Sequence, residues 1–328
     1  MGGDRAPWWL STTLTWKLIP FQENDRVTKA EARTQAARER HHQRAKERKR
    51  RRRCAYPSDL TGVQWALIKP LVVRPKTGPG RPVDLDWRLV LNAIFDLVRT
   101  GCQWCYWPDR FPPRRSVRSW FDQWTHDETW ERINPRLGRW VRVKLNRAPT
   151  PRGVIVDSQS VKTAEVGGEV GLDGNHKVQG RKRHVLTDTL GLRWKVGVTV
   201  ATLTDAAGGE FVLLAVARLM PRLKKVWADG AYQAMADWIA AHLGIEVEIT
   251  KRPDGQKSFV VLAKRWIVAR SIAWLTRYRR LSKDYERDPV YSESMIYIAS
   301  IRLLLNKLRP DTSQPVPYKS QPKASVPA

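Results

Sequence analysis

Cysteine is scarce, with three in 328 residues. That is too few for a disulfide framework and fits a reducing compartment. Cys102 and Cys105 form one C-x-x-C. With neither a second pair nor a close histidine pair beside it, this makes a poor zinc site. Long apolar runs are missing too: no stretch reaches the roughly 18 residues expected of a membrane span. Residues 7–21 are moderately apolar but contain Lys17 and lack a basic n-region and an A-x-A site, so they do not read as a signal peptide. Acidic residues are few. Against 59 Lys and Arg stand 32 Asp and Glu, a formal net charge of +27. Such an excess speaks of partners rather than fold, and it points to a polyanion. An anionic membrane is the competing polyanion, but the basic clusters flank no spanning segment.

What is present falls into four stretches. Residues 1–55 form a basic arm, rich from Ala30 in Ala, Arg, Glu and Gln, with an Arg/Lys run from Lys46 to Arg53. It reads as a solvated helix or a disordered arm, either neutralising phosphates or touching nothing. Residues 56–148 read as mostly helical. Ser58-Asp59-Leu60-Thr61 offers an N-cap before a helix through Trp65, Ile68 and Leu71. A second helix spans about Asp84 to Thr100 and ends at Gly101. Pro112-Pro113-Arg114-Arg115-Ser116-Val117-Arg118 opens a third, running through Trp124. Helices followed by an Arg-rich helix start resemble a helix-turn-helix, although small helical bundles share the pattern. Arg114, Arg115 and Arg118 are the candidate DNA contacts there.

From Pro149 the pattern turns to strands, and residues 149–309 read as a mixed α/β domain. Expected strands cover 153–158, 181–190, 192–202, 224–228 and 245–250; expected helices cover 207–220, 232–243, 262–279 and 292–308. The apolar run Val154-Ile155-Val156 ends in Asp157, and Val226-Trp227-Ala228 ends in Asp229. An Asp just past a buried strand either caps the next turn or faces a ligand from the sheet edge. Two such acids on adjacent parallel strands would suit a hard divalent cation, which takes oxygen ligands. Lys177, Arg181, Lys182, Arg183 and His184 crowd the start of the hairpin and read as DNA-backbone contacts. Arg265 reads either as a phosphate contact or as part of a solvated helix face. Trp227 reads as packing rather than base stacking. Residues 310–328 read as a disordered tail.

Several phrases together carry a resemblance: "LTGVQWALIKPL", "VLNAIFDLVRTGCQW", "VDSQSVKTAEVGGEVGLDGNHKVQGRKRHVLTDTLG", "KKVWADGAY" and "AWLTRYRRLSKDYE". Over about Tyr56 to Leu308 the chain resembles the IS5-group transposases of bacterial insertion sequences, within the IS4-like class of DDE transposases. The resemblance implies an RNase H-like fold preceded by a helical DNA-binding region. It implies metal-dependent cutting and joining of DNA at the ends of a mobile element, with two Mg²⁺ or Mn²⁺ ions. The implied partners are duplex DNA, as terminal repeats and target, and further copies of the chain on that DNA. The implied setting is the bacterial cytoplasm, at the nucleoid.

Asp157 and Asp229 match the family's first two catalytic acids and, by the same resemblance, its metal ligands. The third, a Glu within a phrase usually written R-W-V-V-E-R-T-F-A-W-L, falls at Ala269, where this chain reads Arg265-Trp266-Ile267-Val268-Ala269-Arg270. Ala269 has no oxygen to give. Either cleavage is impaired, or the chain is a non-catalytic derivative that occupies element ends. Glu286 lies too far on to substitute, roughly 26 Å along a continuous helix at 1.5 Å per residue. Glu246 and Glu248, on the fifth expected strand, are the nearer candidates.

Overall fold

Thr61 starts the first helix with a reciprocal cap, its hydroxyl accepting from the Gln64 N–H while the Gln64 side chain accepts from the Thr61 N–H. This is α1, Gly62–Val72. Asp86 caps α2, Trp87–Thr100, which stops at Gly101 in the left-handed conformation (φ +70°) that glycine adopts without strain. A short 3₁₀ turn, Trp104–Tyr106, precedes α3, Arg114–His126. A two-residue turn leads to α4, Thr129–Lys144, an element not singled out from the sequence. The computed structural model describes residues 33–40, 56–73, 85–165, 168–217, 219–250 and 264–310. Residues 33–40 are helical; the rest of the basic arm, its Lys46–Arg53 run and the 310–328 tail, apart from residue 310, lie outside the described residues.

The strands are β1 (Gly153–Lys162), β2 (Gly171–Asp173), β3 (Val178–Asp188), β4 (Arg193–Val200), β5 (Lys225–Ala228) and β6 (Glu246–Ile249). β3 pairs antiparallel with β1 on one side and with β2 and β4 on the other. β1 then pairs in parallel with β5, and β5 with β6. Three antiparallel neighbours continued by a parallel set give the mixed sheet expected of an RNase H-like fold. Gly191 (φ +74°) turns β3 into β4, and the Asp188 carboxylate accepts from the Leu190 and Leu192 N–H groups across that turn.

Pleat alternation assigns the two faces. Val154 and Val156 pack with α5 (Asp205–Ala217) and α6 (Gln233–Leu243) through Val212, Leu213, Met235 and Ile239. Ile155 and Trp227 pack on the other side with Ile267, Val268 and Ile272 of α7 (Arg265–Ala273). The expected 262–279 helix ends early, passing into 3₁₀ turns at Trp274–Arg277 and Arg279–Leu281.

The change of pattern near Pro149 is a change of secondary structure and not of core. Residues of α1 to α4 share one buried cluster with β4 and with the last helix, α8 (Pro289–Leu308). The described residues from 56 to 310 accordingly form one compact unit. A half-buried acid sits in this shared region. Glu293 accepts from the Val198 N–H at 2.8 Å, beside the Lys195–Glu131 pair. Burial pushes its carboxyl up to about 7, against the pull of that hydrogen bond and of Lys195.

The folded state therefore holds this proton more tightly than the unfolded chain does. Stability present below about pH 4.5 is lost as pH rises through 7. Glu293→Gln keeps the acceptor and removes the charge. At pH 8 it should stabilise the protein by about 1–3 kcal/mol in urea unfolding, with little effect at pH 4.5. An unchanged difference between the two pH values would rule this out.

Candidate active site

The parallel pairing of β1 with β5 sets Ile155 opposite Trp227. Asp157 and Asp229 each lie two residues further on, so the register carries both acids to the same level, Asp229 just past the end of β5 and Asp157 midway along β1, which runs on to Lys162 rather than ending at the expected 158. Ile155 and Trp227 both face α7, and the alternation puts Asp157 and Asp229 on that side as well. From α7, Arg265 reaches down and its Nη2 lies 2.7 Å from Asp229 Oδ2. The other Asp229 oxygen accepts from the Ala231 N–H at 3.0 Å and caps the 3₁₀ turn Gly230–Tyr232. Asp229 is thus a cap and a charge partner at once. Asp157 Oδ1 accepts from the Ser158 N–H at 2.9 Å. Burial pushes the Asp157 carboxyl up to about 6, eased by that N–H and by Arg265, with the Asp229 and Asp205 charges adding to the rise.

Ala269 stands one turn beyond Arg265 on α7, exposed, while Val268 and Ile272 beside it are buried. Among the described residues, the candidate acids do not fill its place. Glu246 and Glu248 are held by Lys225 at 2.6 and 2.8 Å, and Glu248 also accepts from the Trp227 indole at 3.1 Å. The chain does double back past Leu281, so that Asp284 bonds beside β1, but Glu286 is taken by Arg280 at 2.7 Å. Among the described residues no group of three His, Cys, Asp or Glu side chains is placed to hold a metal. Two carboxylates on one sheet face suit one hard cation, provided that Arg265 gives way. They do not suit the two-ion arrangement that the resemblance implies.

The hairpin cations require a correction. Arg181, Lys182, Arg183 and His184 are buried, and their partners are the protein's own. Arg181 donates to the Glu286 carbonyl (2.8 Å) and lies 3.3 Å from Asp284; Arg183 donates to the Leu281 and Lys283 carbonyls. Lys182 sits 3.1 Å from Asp205 and 3.6 Å from Asp173. His184 is 3.0 Å from the Thr199 hydroxyl. None is available to a DNA backbone, because both faces of β3 are covered. Lys177, in the turn before β3, is exposed, as are Arg114 and Arg115 at the start of α3. Arg118 is half-exposed but pairs with Asp122 at 2.7 Å and lies over Trp104. Trp227 is packed as expected, with the Lys264 ammonium over its ring at 3.7 Å.

One cluster was missed in the sequence. The Ser158 hydroxyl donates to Asp205 at 2.6 Å, and Asp205 continues through Lys182 to Asp173, which also binds Ser160 and His176. Ser158 and Ser160 alternate away from Asp157, so this network lies behind the acid pair on the α5 side. The available signal was Thr204-Asp205, a helix-start pair: the Thr204 hydroxyl accepts from the Ala207 N–H.

Comparison with known families agrees with this architecture. Residues 60–134, covering α1 to α3 and the first part of α4, match the family model for transposases of the IS4/5 family (DUF4096). Residues 148–304, covering the whole sheet and most of α8, match the transposase DDE domain. No curated protein sequence matches the chain. With both halves matched to transposase families over most of its length, the chain belongs to the IS4-type DDE transposases.

Proposed function

We propose that the protein binds the ends of a mobile element as duplex DNA and cuts them slowly at the Asp157–Asp229 pair. The observation that carries this reading is the register that brings the two acids level on one sheet face, beside a helix lacking the third acid. Asp157 and Asp229 would hold one divalent ion. When bound, such an ion polarises the phosphate and lowers the pKa of the attacking water. The protein's part is to keep two carboxylates level on neighbouring strands and to hold the DNA. Exposed Arg114, Arg115 and Lys177 are its proposed backbone contacts, with further copies of the chain assembling on the DNA at the nucleoid.

Ala269 favours a second reading, a non-catalytic end-binding derivative that competes for element ends. A plasmid bearing the element separates the two. The first reading expects slow nicking that requires Mg²⁺ or Mn²⁺ and is abolished by Asp157→Asn. No nicking under any metal, with binding intact, favours the second. Nicking that survives Asp157→Asn would overturn the site.

Binding itself should be electrostatic, given the net charge of +27. Each neutralised phosphate releases counterions, so affinity for duplex DNA should drop by about 10³-fold between roughly 50 and 200 mM salt. Fluorescence anisotropy checks this, and a flat salt profile would refute an electrostatic footprint.

A further inference from the structure

Both oxygens of Asp229 are already engaged, one by the Ala231 N–H at 3.0 Å and the other by Arg265 at 2.7 Å. A cation that takes Asp229 through its Oδ2 therefore competes with a guanidinium for that oxygen. Nothing else on α7 is placed to do what Arg265 does: Lys264 lies over the Trp227 ring, and Arg270 over Trp266 at 4.5 Å and Trp274 at 5.2 Å. Arg265 is 38% exposed and Asp229 21%, so the guanidinium has a free path into solvent.

We propose that Arg265 is a resident counter-cation of the acid pair, competing with a divalent ion for Asp229. The inference rests on the reading of Asp157 and Asp229 as the metal-binding pair. It gives Ala269 a second consequence. A carboxylate four residues after Arg265 on the same helix face would attract the guanidinium along α7 and away from Asp229. With alanine there, Asp229 is the carboxylate that Arg265 finds. Losing one acid thus removes a ligand and also leaves a remaining ligand occupied by a cation.

The test is Mn²⁺ binding to the full, DNA-free chain, followed by electron paramagnetic resonance of free Mn²⁺. Arg265→Gln should bind Mn²⁺ roughly tenfold more tightly than wild type, the scale of one lost hydrogen bond between charged groups. Arg265→Lys, which keeps the charge without the planar fork, should show a smaller gain. In an Asp229→Asn background, Arg265→Gln should bring no gain. Arg265 is on the helix surface, and thermal melts verify that each variant is folded. If Arg265→Gln binds Mn²⁺ no more tightly while Asp157→Asn and Asp229→Asn weaken binding, the counter-cation role is refuted and the metal-binding pair stands. If neither Asn variant changes binding, the pair itself falls, and the competition with it.

Discussion

Replacing Ala269 with glutamate should raise DNA cleavage by at least about 10²-fold, equivalent to about 2.7 kcal/mol off the barrier. The position is exposed on α7, between the buried Val268 and the sheet-facing Ile272, one turn past Arg265. A longer side chain there displaces no core atom. Glutamate is a good helix former, so the change costs little in propensity. Two gains should combine: a third carboxylate for a divalent ion, and a partner that draws Arg265 off Asp229. Ala269→Gln is the control, having similar size and no charge, and it should leave cleavage near wild type. Single-turnover cleavage of element-end DNA in Mg²⁺ measures the difference. A wild-type rate already equal to that of Ala269→Glu would mean that another acid completes the site. Equal inactivity of both, with DNA and metal still bound, would place the defect elsewhere.

The parts of this site that were legible are those written locally. Val154–Val156 and Val226–Ala228 are short apolar runs ending in an acid, and the parallel pairing needed to join them follows from strand–helix alternation. The buried stripe of Val268 and Ile272 on α7, continued by Leu275 in the next 3₁₀ turn, also follows from spacing. The hairpin misleads because the sequence shows its charges without their partners. Arg-Lys-Arg-His at 181–184 looks like a basic patch, yet Lys182 is held by Asp173 and Asp205, and the two arginines find main-chain carbonyls and an acid about a hundred residues away, at 281–287. No periodicity reports such a long-range pairing. The Arg265–Asp229 contact was hidden in the same way: one helix start meets one strand end across a segment outside the described residues. The change from helices to strands near Pro149 was legible, but the shared core was not, because α8 returns from far along the chain to pack against α4.

The correction at the hairpin carries the second large expected effect. Arg181→Ala should destabilise the protein by about 3–5 kcal/mol, the usual cost of removing one partner from a buried ion pair. Arg181 is 0% exposed. Its Nε donates to the Glu169 carbonyl at 3.1 Å, and Nη1 to the Glu286 carbonyl at 2.8 Å, with Asp284 at 3.3 Å; Nη2 donates to the Arg287 carbonyl. Alanine would strand these acceptors and leave the buried Asp284 carboxylate with the Ser292 hydroxyl, the Glu286 N–H and the more distant charge of Arg183. The melting temperature should fall on the order of 10 °C. Affinity of the folded protein for duplex DNA should not change. Arg114→Ala combined with Arg115→Ala should give the converse, with an unchanged melting temperature and weaker DNA binding of reduced salt slope, because those side chains are exposed and proposed to meet phosphates. If Arg181→Ala instead melts like wild type and loses DNA affinity, its guanidinium leaves this cage to contact phosphate, and the basic hairpin is a DNA surface after all.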